Sequence, residues 1–155
     1  MLFTDIVGSS ERVRMLGDDA WQLTLESHDR IAWKTIDRHR GAVVKTTGDG
    51  LLVTFGSPSD AVACAAVLRR ELASIGVAIR GGLHAGEVVM RDDGDVSGLA
   101  VHLAARVAPA AEGSSIYVSS TVRDLLLGGD QTFADRGEHA LKGIDGSWRL
   151  YQLSP

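Results

Sequence analysis

Two aspartates stand where a carboxylate is costly unless something cationic meets it. Asp5 lies in the apolar run "MLFTDIV", flanked by Phe3, Ile6 and Val7, and Asp49 lies in the turn of "VVKTTGDGLLVTF". A charged group among such neighbours needs a strand end, an ion partner or a coordinated cation. Meeting at one sheet end, the two would make a hard-oxygen site suited to Mg2+ or Mn2+, ions that keep positions open for other oxygen ligands. The simpler alternatives are a strand-end carboxylate bonded to the Ser9 or Ser10 backbone, and a turn former. Lys45, four residues before Asp49, is either a solvated strand lysine or a cation aimed at a ligand. His102 and Arg106 in "LAVHLAARVAPA" are spaced i, i+4 and project from one helix face. A guanidinium there suits phosphate oxygens, although an alanine-rich helix also accepts an arginine simply as an exposed helix former. Cys64, in "DAVACAAVLRREL", reads as a buried small hydrophobe, and His84 as a strand or core histidine with no chemical role.

The elements that must position these groups follow from periodicity and punctuation. Residues 1–7 read as a buried strand broken by Gly8-Ser9-Ser10. From Asp18 to about Arg40 the spacing of Trp21, Leu25, Ala32 and Ile36 predicts a helix, with Asp18 as its cap and Gly41 as its stop. A hairpin over Val43–Phe55 turns at Asp49-Gly50. Ser57-Pro58 opens a second helix with Ala61, Ala65, Leu68 and Leu72 inward. "VAIRGGLHAGEVVM" reads as a strand or bent pair of strands, and "RDDGDVSG" as a polar loop. A short helix ending near Pro109 follows, then a strand at "SIYVS", a helix at "STVRDLLLG" stopped by Gly128-Gly129, and two closing strands. The order β-α-β-β-α-β is the split βαβ arrangement of ferredoxin-like α+β sandwiches, with additions at the C-terminus. In it the first strand is central and antiparallel to the second hairpin strand, which brings Asp5 toward the Asp49 turn.

The totals bound the answer. A length of 155 residues predicts a single domain spanning the chain, large enough to bury a core without staples. The net charge of −4 argues against nucleic acid as the partner, while leaving room for a small phosphorylated ligand that needs only local cations. One cysteine cannot form an internal disulfide, the longest apolar run is too short to span a bilayer, and no signal peptide is expected ahead of the strand. A cytoplasmic domain is expected. A strand starting directly after Met1 fits a catalytic piece of something longer.

"LFTDIVGSS", "KTTGDGLLVTF", "RGGLHAGEV", "DVSGLAVHLAARV" with "GSSIYVS", and "HALKGIDGSWRLYQL" follow one another along the chain. In that order and spacing they resemble the catalytic domain of class III nucleotidyl cyclases, from Leu2 to Leu153. The turn "TTGDGLL" lacks the G-G-[DE]-[DE]-F signature of the other cyclising class with a related fold. The resemblance implies an adenylate cyclase that converts ATP to 3′,5′-cyclic AMP and pyrophosphate with two Mg2+ or Mn2+ ions, bound through Asp5, Ile6 and Asp49. It implies that Lys45 and Asp95, the latter in "DVSG", select the base. Adenine accepts at N1 and donates from its exocyclic amine, matching a lysine and an aspartate; guanine reverses both and leaves them unsatisfied. Arg106, Lys142 in "LKGI" and Arg80 before "GGLHAG" are implied as phosphate contacts.

The resemblance further implies a homodimer whose active sites are shared. Asp5, Asp49 and Arg80 would come from one subunit, and Lys45, Asp95, His102, Arg106 and Lys142 from the other, giving two equivalent sites. The chain departs from the family at one place. Where the family pattern is V-N-x-A-x-R, "VHLAAR" puts His102 at the position of the ribose-holding asparagine. A histidine can donate a hydrogen bond too, but from a bulkier ring and another point in space. That substitution keeps open a nucleotide-binding signalling or dimerising module with weak turnover. A ferredoxin-like interaction domain without a nucleotide site is the remaining alternative.

Overall fold

The computed structural model describes residues 1–154. Strand β1 (Leu2–Ile6) leads into helices α1 (Ser9–Leu16) and α2 (Asp18–Arg38), followed by the hairpin of β2 (Gly41–Thr46) and β3 (Leu51–Phe55). Helix α3 (Pro58–Ser74) and strand β4 (Ile79–Leu83) complete the ferredoxin-like unit. A two-strand arm of β5 (Val89–Met90) and β6 (Val96–Ser97) precedes α4 (Leu99–Ala110). Then come β7 (Ile116–Ser119), α5 (Ser120–Leu125), β8 (Phe133–His139) and β9 (Trp148–Leu153). The main sheet runs β2-β3-β1-β4-β7-β9-β8, with β1 between β3 and β4 and antiparallel to both, as the topology predicts. The added strands extend it beyond β4, where β7 pairs in parallel.

Each face of the sheet has its own core. On one, Leu2 and Ile6 of β1 and Leu51 and Val53 of β3 pack under Ala32 and Ile36 of α2 and under Ala61, Ala65, Leu68 and Leu72 of α3. On the other, Leu103 and Val107 of α4 pack with Tyr117, Leu141 and Leu150. Helix α4 approaches closely because β4 offers no side chain at Gly82: a Cβ there would lie 2.1 Å from the Ala108 nitrogen.

Three local expectations need correction. Residues 9–16 form helix α1, which contains no buried residue and so leaves no apolar stripe to read. Asp18 is the first residue of α2 rather than its cap, a position held by Gly17 without any side-chain hydrogen bond. The hairpin turns one residue earlier than its Asp-Gly pair predicts. The Thr47 N–H donates to the Gly50 carbonyl at 2.8 Å, so Gly48 and Asp49 are the central residues. Gly48 carries the left-handed φ of +80°.

Candidate active site

Cross-strand partners share a sheet face, so the register fixes where each charged side chain leaves the sheet. Phe3 pairs with Leu52 on one side and Gly82 on the other, and Asp5 pairs with Arg80. All of these lie on the face that α4 packs against, opposite the α2–α3 core. Lys45 joins them through an irregularity. Val43 pairs with Val53 but Lys45 pairs with Leu52, which leaves Val44 as the extra residue of a β-bulge. Without the bulge Lys45 would share Val43's inward face; with it Lys45 emerges beside Leu52.

At the end of β1, Asp5 Oδ2 accepts two hydrogen bonds from Arg80, from Nε at 2.9 Å and from Nη2 at 2.6 Å. The Asp49 turn is pressed against the same strand end. A Cβ on Gly50 would lie 2.0 Å from the Thr4 carbonyl oxygen, so Gly50 is needed for close approach rather than for its φ. The Asp49 Oδ2 is buried with no hydrogen-bond partner among the described residues. A buried carboxylate oxygen left bare is costly, and a cation would satisfy it. No cluster of three or more His, Cys, Asp or Glu side chains among the described residues could hold a metal ion. The donors here are therefore two carboxylates, to which Ile6 could add only its main-chain carbonyl because its side chain is buried in the core. Few, hard, oxygen donors fit Mg2+ or Mn2+, which accept water or phosphate at the remaining positions.

Lys45 Nζ donates to both oxygens of Asp95, at 2.8 and 2.7 Å. Asp95 immediately precedes β6, and its Oδ1 also accepts the Val96 N–H at 2.8 Å. These two contacts, the lysine's first, hold its carboxyl below the usual range. The "DVSG" segment thus places Asp95 at the start of β6 and Gly98, with φ +128°, at the start of α4.

His102 and Arg106 stand on the exposed side of α4, one turn apart. Arg106 Nε donates to the Lys142 carbonyl at 2.9 Å, which ties α4 to the β8–β9 loop and leaves both Nη groups without a partner among the described residues. His84 is buried just past β4 and bonds through Nδ1 to Ser119 Oγ at 2.8 Å. Burial first, and then the positive N-terminus, lower its pKa to about 4. It is the core histidine the sequence implies. Burial pushes the Cys64 thiol up to about 12, which leaves it inert at neutral pH.

Hydrogen bonds therefore gather the sequence-selected residues into separate groups: Asp5 with Arg80, Lys45 with Asp95, and Arg106 with Lys142. Asp49 stands beside the first and His102 beside the third. Sequence reasoning missed two features of this layout. The flanking glycines of "TGDGL" hint at the packed turn, whereas nothing in the sequence marks the bulge at Val44.

Taken together, the fold and the side chains define a ferredoxin-like domain with an acidic strand end, a lysine–aspartate pair on the same sheet face and an exposed arginine on α4. Comparison with known proteins agrees. The sequence matches the family described as adenylate and guanylate cyclase catalytic domain over residues 1–155. A protein of Rhizobium meliloti named "Putative adenylate cyclase 3" is 29% identical over 164 residues, covering 100% of this chain and 28% of its own length. Adenylate cyclases of Trypanosoma brucei, solved in their monomeric state, superpose with a TM-score of 0.89 at 22% identity over 98% of this chain and 86% of theirs. An adenylate/guanylate cyclase/hydrolase of Silicibacter pomeroyi superposes at 0.85 with 28% identity, over 99% and 94%. This chain belongs to the adenylate and guanylate cyclase catalytic domain family. It spans 28% to 51% of the length of the curated relatives it matches first. No helix among the described residues is long and apolar enough to cross a membrane.

Proposed function

We propose that residues 1–155 act as one catalytic domain, an adenylate cyclase that forms 3′,5′-cyclic AMP and pyrophosphate from ATP at sites shared by two copies of the chain. The observation that carries the choice of ATP is the Lys45–Asp95 pair. A lysine ammonium can only donate and an ionised carboxylate can only accept, which complements adenine N1 and its amine. Guanine would leave both groups mispaired, a mismatch that costs roughly 10⁴-fold in favourable sites.

The separation of the hydrogen-bonded groups within one chain supports a site completed by a partner copy. Asp5, Asp49 and Arg80 would face the Lys45, Asp95, His102, Arg106 and Lys142 of the second copy. The bare Asp49 oxygen supports cation binding at the first group. Divalent cations held by Asp5, Asp49 and the Ile6 carbonyl would lower the pKa of the ribose 3′-hydroxyl and neutralise the phosphates it attacks. Arg106, fixed at Nε, keeps its Nη fork for the phosphate oxygens as charge builds on them. Lys142 and Arg80 add further positive charge to the triphosphate, and His102 contacts the ribose. A single buried cysteine fits a reducing, cytoplasmic setting.

One observation favours a second reading. His102 stands where the family has asparagine, so the domain could bind the nucleotide and dimerise while turning it over poorly. The test is an assay of the purified chain with ATP or GTP and with Mn2+ or Mg2+. Cyclic AMP formed in preference to cyclic GMP supports the cyclase. Nucleotide binding without product supports the second reading, and neither one leaves an interaction domain.

A further inference from the structure

Asp5 and Asp49 are alike in the metal-site reading above, on which this inference rests, but they are unlike in the chain. Asp5 already has a cation. Both N–H groups that Arg80 commits fall on the same oxygen, Oδ2, and so occupy the two lone-pair directions a metal ion would use. Asp49 Oδ2, by contrast, is buried and bare. The arginine is held there by register alone: Asp5 and Arg80 are direct cross-strand partners, so the pair forms without any adjustment of the backbone. Nor is it sealed in, because the two side chains are 35% and 36% exposed. A cavity of about 140 Å3 opens beside Asp5, between Thr47 and Ala105.

We propose that Arg80 is the resident counter-ion of Asp5, and that a divalent cation gains Oδ2 only by displacing it. A guanidinium and a metal ion cannot share one carboxylate oxygen without close like-charge repulsion. The bare Asp49 oxygen supplies the first foothold, and the cation's arrival between the two carboxylates releases Arg80 to turn toward anionic oxygens nearby. Arg80 is in this sense a positioning residue for the metal: it holds Asp5 oriented and charge-paired, and it sets the cation concentration at which the site fills.

The test is a Mn2+ titration of the nucleotide-free chain, with unbound Mn2+ read from its electron paramagnetic resonance signal. Arg80→Gln removes the competitor and should tighten Mn2+ binding by about fivefold, the upper range for a half-exposed ion pair. Arg80→Lys keeps the charge but lacks the two-point hold, so it should tighten binding by a smaller factor. Unchanged or weaker binding in Arg80→Gln overturns the displacement, as does Arg80→Lys behaving as wild type, which would leave only distant charge repulsion. Asp49→Asn is the control on the underlying reading. If it abolishes Mn2+ binding, the metal site stands whatever Arg80 does. If neither Asp49→Asn nor Asp5→Asn alters binding, the site itself is wrong and the exchange falls with it.

Discussion

The Arg80–Asp5 and Lys45–Asp95 pairs both rest on a cation leaving the same sheet face, and both put two hydrogen bonds on one carboxylate. Their exposure is similar too, at 36% and 35% against 47% and 34%. What differs is the company each carboxylate keeps. Asp95 is pinned by its own loop, with the Val96 N–H on Oδ1 and the Asp93 carboxylate accepting its backbone N–H at 3.0 Å. Asp5 sits instead at the strand end against which the Asp49 turn packs, and the Asp49 Oδ2 is buried with no partner among the described residues. A pair anchored by backbone is suited to reading a ligand while staying in place. A pair adjoining an unsatisfied anion is suited to being exchanged for a stronger cation. On the proposed reading, the same two residue classes would serve recognition at one end of the face and metal loading at the other.

That contrast can be broken most severely at the acidic end. Asp49→Asn removes a ligand without removing core volume. It should lower kcat by well over the roughly 10–100-fold that even outer partners of metal sites cost, while the melting temperature holds or rises. Near-normal turnover at limiting metal would remove the two-carboxylate site. At the recognition end, Lys45→Glu reverses one hydrogen bond to the base and sets two carboxylates face to face. Activity with ATP should fall about 10²-fold and the ATP-to-GTP activity ratio should shift toward GTP. A uniform loss with an unchanged ratio would mean that Lys45 does not touch the base. The smallest effect is expected on α4, where His102→Asn should raise kcat with ATP by about tenfold if the imidazole holds the ribose slightly out of line. Base choice should not move. A fall in rate would instead make His102 an adapted contact.

How much of this was legible follows from the range over which each feature is determined. The strand order follows from element order, and it brought Asp5 toward Asp49 although 44 residues separate them. The i, i+4 spacing placed His102 and Arg106 on one exposed face. Helix α1 escaped because helices are read from their buried stripe, and Met15 and Leu16 both face outward. The turn position is ambiguous in the sequence because Asp-Gly and Gly-Asp compete in "TGDG", and the choice lies in the packing of Gly50 on Thr4. The Asp5–Arg80 contact is not legible in the sequence, because only the register of β1 on β4 makes the two residues partners. Arg106 is similar, since its Nε bond to the Lys142 carbonyl depends on where the β8–β9 loop returns.

The central claim is that the acidic end of one copy works with the arginine-bearing helix of another. Asp49→Ala and Arg106→Ala sit on opposite sides of that division, and each should be nearly inactive as a homodimer. Mixed in equal amounts and allowed to exchange subunits, half of the dimers become heterodimers, each with one intact site and one doubly damaged. The mixture should then recover about a quarter of wild-type activity, the share that two-fold symmetry dictates. No recovery after verified exchange would place Asp49 and Arg106 in the same copy's site and contradict the shared-site account.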